Sequence, residues 1–258
     1  MEKVWLIALT TLRESVRSKV LYSLFFFAIL LVLLTTLFGA VTIGDQVKVI
    51  EDFGLFAVSF FTVAYTVISG AALLHKELQR KTIYNILAKP VRRWEFIVGK
   101  YFGMLGTVLL MMLLLGPGLM LYVFLFKGEL EWQLLAAVLY IFLQLAIVSA
   151  AALFFSAMVV TPLLSGAFTF GVFLAGRSTE YLLFFVKDGS LKGAAAELLE
   201  WLYLLLPHLN RLDVSNQVVY GAALSGSHLL WSAGYAAGYS AVLLLLAVII
   251  FERREFDS

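Results

Sequence analysis

Residues 132–176 read WQLLAAVLYIFLQLAIVSAAALFFSAMVVTPLLSGAFTFGVFLAG, without one Asp, Glu, Lys, Arg or His. As a single helix rising about 1.5 Å per residue, the stretch would run roughly twice the thickness of a bilayer's hydrocarbon core. It must fold back on itself, and Thr161-Pro162 is the break. Proline lacks a backbone donor and pushes the preceding residue out of helical geometry. Two antiparallel spans are therefore expected here, 133–159 and 162–176, joined by a tight turn.

Working outward, Val20–Gly44, Phe53–Leu74, Tyr101–Phe126 and Leu229–Phe251 are likewise uncharged. Each meets the length of about 20 apolar residues that a spanning helix needs. The reading is an all-α integral membrane protein with six transmembrane helices, 20–44, 53–74, 101–126, 133–159, 162–176 and 229–251, forming one transmembrane domain over 1–258. Composition agrees: the 258 residues are 62% hydrophobic and only 14% charged. Soluble domains average about 45–50% apolar and about 25% charged. There is no cysteine, which excludes disulfides and thiolate metal sites. Arg13, Arg17 and Lys19 precede the first apolar run as they would in a signal peptide. The run is longer than the roughly 7–15 residues of a signal's apolar region, so a retained span is expected.

The basic residues orient the chain. With the N-terminus inside, only Lys48, Lys127, Arg177, Lys187, Lys192 and Arg211 of the 19 Lys and Arg lie outside. The positive-inside rule favours that arrangement, with both termini cytoplasmic.

Three segments flank the spans. The head, 1–19, places Trp5, Leu6, Leu9, Leu12 and Val16 at helical spacing against Lys3, Arg13, Arg17 and Lys19. That pattern predicts an amphipathic elbow helix along the inner leaflet. The segment 177–228 is external on this reading. Leu198, Leu199, Leu202 and Leu205 or Leu206, with Trp201 and Tyr203, predict short amphipathic helices at the interface, stopped by Pro207. Asn210–Tyr220 is expected to be a polar return loop.

The one sizeable cytoplasmic feature is the loop 75–100. Leu78, Thr82 or Ile83, Ile86 and Leu87 fall on one helical face, with Glu77, Gln79, Arg80 and Lys81 on the others, and Lys89-Pro90 ends it. Two readings fit: a basic loop lying on lipid phosphates, and a docking helix for a soluble partner.

The order of these features, with Glu77, Arg80-Lys81-Thr82, Ile86-Leu87, Lys89-Pro90, Arg92-Arg93, Glu95-Phe96 and Gly99-Lys100, resembles the permease subunit of ABC-2 type ATP-binding-cassette transporters. The likeness extends to Leu206-Pro207-His208-Leu209-Asn210-Arg211-Leu212-Asp213 and to the tail Phe251-Glu252-Arg253-Arg254-Glu255-Phe256. Within that family the chain is similar to permeases of the nitrous-oxide-reductase maturation type. The resemblance implies a coupling helix between spans 2 and 3 that seats in an ATPase subunit. Carried onto this chain, docking falls on Glu77, Arg80, Lys81, Thr82, Tyr84, Leu87, Lys89, Pro90, Arg92 and Arg93. It also implies a homodimer of permeases paired with two ATPases, ATP and magnesium in the partner, and a multi-pass place in a prokaryotic cytoplasmic membrane. Only the lipid bilayer and these proteins are expected as partners; nucleic acid is not.

The chain has no Gly-x-x-x-x-Gly-Lys-Ser/Thr loop, so ATP hydrolysis must come from another chain. His75, His208 and His228 are isolated, without metal-ligand spacing, and no nucleophile elbow is present. His75 is expected at headgroup level and His208 in the external loop. The uncharged spans argue against ion-coupled transport, whose usual mark is an intramembrane ionisable group. Milder polar residues remain as candidates for a substrate path, namely Gln144, Tyr65, Thr66 and Tyr235. Helix–helix hydrogen bonding is the competing role for Gln144. Such a path suits a hydrophobic or amphipathic cargo. The small-residue pairs Gly99/Gly103 and Gly234/Gly238 fit packing within one subunit or a dimer seam, and Gly116-Pro117-Gly118 is expected to kink the third span. The expected function is thus the transmembrane subunit of an ATP-driven exporter, not itself an enzyme. The alternative is a membrane scaffold that docks a soluble protein and moves nothing.

Overall fold

The computed structural model describes residues 2–41, 45–79, 92–159, 161–181, 194–220 and 226–253, and all regular structure among them is helical. The helices are α1 (Glu2–Val16), α2 (Lys19–Val41), α3 (Gln46–Gln79), α4 (Arg93–Lys127), α5 (Trp132–Met158) and α6 (Pro162–Arg177). They are followed by α7 (Ala194–Leu205), a 3-10 turn (Leu209–Leu212), α8 (Ser215–Val219) and α9 (Gly226–Arg253). Five of these, α2, α3, α4, α5 and α9, are long and apolar enough to cross a membrane. Helix α6 has 16 residues. It rises roughly 24 Å, less than the ~30 Å of a hydrocarbon core. By its own length it does not reach across.

The break before α6 follows from proline. Thr161 is extended (φ −116, ψ 140) and Pro162 takes the first helical position, where its missing donor costs nothing. Inside α4, by contrast, Pro117 is accommodated, and the helix continues from Arg93 to Lys127. Its start is fixed by the Arg92 N–H donating to Glu95 Oε2 at 2.8 Å. Its end is fixed by Gly128, whose φ of 75 needs a residue without Cβ and whose N–H donates to Phe124 O at 2.8 Å.

α5 is the most enclosed of the long helices, packed against α3, α4, α6 and α9. The alanine run Ala150, Ala151, Ala152 lets neighbours come close. A Cβ on Gly70 of α3 would lie 2.6 Å from the Ala152 Cβ.

Helix α1 meets the rest of the protein through its small residues. Its buried residues are Ala8 and Thr11, while Trp5 and Leu6 are 65% and 61% exposed. The small side chains turn inward because α1 lies directly on α4: a Cβ at Gly103 would sit 2.5 Å from Thr11 Cβ and 2.6 Å from Ala8 O. Close backbone approach, not a broad apolar face, holds this helix. The Gly99/Gly103 pair therefore serves packing within the subunit. Gly234 and Gly238 on α9 face open space, with nothing within 4 Å of a Cβ.

Two further expectations are corrected. Residues 210–220 are not a polar return loop, because Leu209, Leu212, Val214, Val218 and Val219 are buried in the main hydrophobic core. The short α6 leaves room beyond its end, and this segment fills it. Gly176 admits the approach, since a Cβ there would lie 2.6 Å from Pro207 O. In addition, α3 and α4 outrun their uncharged stretches, so Glu51, His75 and Lys100 lie within helices and are buried.

Candidate functional site

A cavity of about 800 Å³ lies between α3 and α6. Helical spacing builds its walls. On α3, Phe53, Phe56, Phe60, Val63 and Val67 recur every three or four residues along one face, and on α6 Phe170, Phe173 and Leu174 do the same. The two helices meet at Gly166, whose missing Cβ would stand 3.5 Å from Ala71 Cβ. Beyond that contact they bracket the cavity.

The opposite end is polar and is built by the inserted segment. Arg177, the last residue of α6, forms an ion pair with Asp213. Asp213 Oδ1 also accepts the Ser215 N–H at 3.2 Å. Asp52, Ser215 and Asn216 complete this end. The segment is held in depth from three sides. Gln144, near the middle of α5, donates from Nε2 to Leu209 O at 2.8 Å. The Tyr235 hydroxyl accepts the His208 N–H at 2.9 Å, and the Tyr239 hydroxyl donates to Leu205 O at 2.6 Å. The arrangement is a half-open cavity with an apolar aromatic wall and one polar end. No nucleophile–base pair lines it, and no group of His, Cys, Asp or Glu able to hold a metal ion occurs among the described residues.

The expected path residues lie elsewhere. Gln144 is buried and clasps Leu209. Thr66 donates its hydroxyl to Thr62 O at 2.8 Å, inside its own helix. Tyr235 holds His208. Tyr65 lines a second, far smaller cavity of about 30 Å³, with Thr11, Ser15, Ser69, Lys76 and Lys100. None of the four lines the large cavity. The phenylalanine face of α3 that does line it is written in the sequence as Phe53, Phe56 and Phe60, but a lipid-facing stripe would be written the same way.

Of the expected docking residues, Arg80, Lys81, Thr82, Tyr84, Leu87, Lys89 and Pro90 lie outside the described residues. Glu77 belongs to the last turn of α3, and Arg92 immediately precedes α4. Arg93 has a role that spacing did not reveal. Its Nη1 donates to Phe251 O at 3.0 Å and to Glu252 O at 2.7 Å, capping the last carbonyls of α9. Phe96 stacks on Phe251 beside it, with ring centroids 5.9 Å apart. His75 bonds to two backbone carbonyls. It is buried within the protein, with Nε2 3.0 Å from Val159 O and Nδ1 3.0 Å from Ala71 O. The described residues on either side of 80–91 are thus tied into the bundle, by His75 on one side and Arg93 on the other.

Residues 15–176 match the family model described as ABC-2 family transporter protein, which is more than half of the chain. The match takes in α2 to α5 whole and almost all of α6, and so both helices that wall the cavity. No curated protein matches the chain.

Proposed function

The chain belongs to the ABC-2 family of transporter proteins, and from that premise we propose that it is the membrane permease of an ATP-driven exporter, carrying cargo through the cavity between α3 and α6. The observation that carries the reading is the cavity itself, flanked by two helices that the family match covers almost entirely. Energy comes from a separate ATP-binding-cassette subunit, which binds ATP and magnesium. This chain supplies the cavity and the connection to it.

In this reading α6 is the sixth crossing. It is short for the bilayer, and the inserted segment 209–214 takes up the depth it leaves. An even number of crossings puts the head, the tail and the basic loop on the same side, as the distribution of Lys and Arg favours. That side is the cytoplasm, the membrane is the prokaryotic inner membrane, and α1 is an elbow helix whose exposed Trp5 and Leu6 face lipid. The segment 77–96 is the coupling helix that seats in the ATPase. His75 and Arg93 support that role, since each anchors one flank of the loop to the bundle. Two copies of the permease pair with two ATPases. The narrower kinship with nitrous-oxide-reductase maturation permeases is part of the proposal and rests on the loop and tail motifs.

The experiment is affinity purification of the full chain from its own membranes, followed by measurement of ATP hydrolysis. An ATP-binding-cassette subunit should co-elute, and substitution of Glu77 or Leu87 should lower its hydrolysis. A purified chain that never associates with a nucleotide-binding subunit sinks the reading.

A further inference from the structure

We propose that the cavity between α3 and α6 selects amphipathic organic cations, taking the charged group at Asp52 and the apolar body on its phenylalanine wall. The inference rests on the transport reading and deepens it by giving the class of cargo.

The charges at the polar end do not cancel. Arg177 is neutralised by Asp213, with which it forms an ion pair. Among the described residues Asp52 makes no ion pair. The cation one turn before it, Lys48, is drawn off by Asp45 at 3.8 Å and lies over the Tyr220 ring at 5.9 Å. One net negative charge is therefore left at the polar end of the cavity, beside its apolar wall. Beside low-dielectric walls such a charge attracts a cation more strongly than it would in open water.

The wall reinforces that sign. Phe53, Phe56, Phe60, Phe170 and Phe173 all line the cavity. Ring faces carry negative quadrupole potential, so they favour a delocalised or quaternary cation and disfavour an anion of the same shape. A volume of about 800 Å³ is ample for a drug-sized molecule. A second copy of this chain is the other occupant such a face could take. An isologous contact would bring two uncompensated Asp52 carboxylates toward one another, which increases the demand for a cation between them.

The test uses the full chain in nanodiscs of phosphatidylcholine and two probes of nearly equal shape and opposite charge, tetraphenylphosphonium and tetraphenylborate. Binding of tetraphenylphosphonium should saturate and be at least about tenfold tighter than that of tetraphenylborate, the scale of one desolvated cation contact. Asp52→Asn should remove most of that preference; Asp52 is exposed and unpaired, so the variant should fold. Phe60→Ala should weaken both probes. The proposal is overturned if tetraphenylborate binds as tightly, if Asp52→Asn keeps the preference, or if uptake matches that of empty nanodiscs. It is also overturned if a cysteine at Phe60, in this chain without native cysteine, cross-links two copies fully while tetraphenylphosphonium fails to bind. No ATPase enters this assay. Its failure leaves the ATP-driven reading standing, and failure to recruit an ATPase leaves the cation site standing.

Discussion

The Nε2 of His75, near the end of α3, lies 3.0 Å from the carbonyl oxygen of Val159, just beyond the end of α5. Ser156 Oγ approaches the other ring nitrogen at 3.2 Å and also reaches Ala71 O at 3.2 Å. A single buried side chain thus joins the end of α3 to the end of α5. His75→Leu removes the partner of the part-buried Val159 carbonyl and should cost about 0.5–1.5 kcal/mol. His75→Gln keeps a donor of similar reach and should cost less. Thermal unfolding of the purified chain in nanodiscs checks both. Equal losses for the two variants would show that ring volume, not the hydrogen bond, matters.

The glycines divide by what surrounds them. Gly103→Ala must push Thr11 and the Ala8 carbonyl away, and so should loosen α1 from α4. A single cysteine at Thr11 would then label faster. Gly238→Ala meets nothing within 4 Å and, as alanine favours helix by about 1 kcal/mol over glycine, should leave one subunit as stable or slightly more so. A lower unfolding temperature for Gly238→Ala would mean that another chain covers this face.

Gln144 and Phe60 should separate structure from cargo. Gln144→Leu removes the amide's bond to the carbonyl of fully buried Leu209, a loss of about 0.5–1.5 kcal/mol, yet it touches no cavity wall. Its probe selectivity should match that of the native chain in the two-probe assay. A change of selectivity in Gln144→Leu would put this amide in the path after all.

Arg177 and Asp213 hold the inserted segment at the polar end of the cavity. The pair is partly exposed, so the direct coupling in a double-mutant cycle should be small, about 0.2–1 kcal/mol. The larger effect is local. Arg177→Gln should raise the labelling rate of a cysteine placed at Leu212, which is buried in the native chain. Unchanged labelling would assign the retention of this segment to Gln144, Tyr235 and Tyr239 alone.

What could be read beforehand, and what could not, follows from what hydropathy measures. Uncharged length distinguishes membrane from water, which made the long helices legible, and Pro162 and Pro207 mark their breaks through backbone chemistry. It does not distinguish lipid from protein as the apolar neighbour. Leu209 and Leu212 therefore looked like parts of a surface loop, and the phenylalanines of α3 looked like any lipid-facing stripe. Nor does hydropathy show which side chains of α1 meet α4: Gly99 and Gly103 admit the small side chains of Ala8 and Thr11. Gln144 and His75 each bond to a distant backbone carbonyl, and a carbonyl acceptor leaves no mark in a sequence. Helix ends were also hidden, because α3 and α4 carry charged turns beyond their apolar cores, which brought Glu51 and Lys100 inside.

The central claim is that another chain's ATP hydrolysis drives this permease through the segment 77–96. The most direct measurement is ATP hydrolysis by the complex purified from native membranes, compared between the native chain and Leu87→Ala. The account predicts a co-purifying ATP-binding-cassette subunit whose hydrolysis falls in the variant while the permease stays folded and in the membrane. A permease that purifies without any nucleotide-binding subunit, in the presence or absence of ATP, would contradict it.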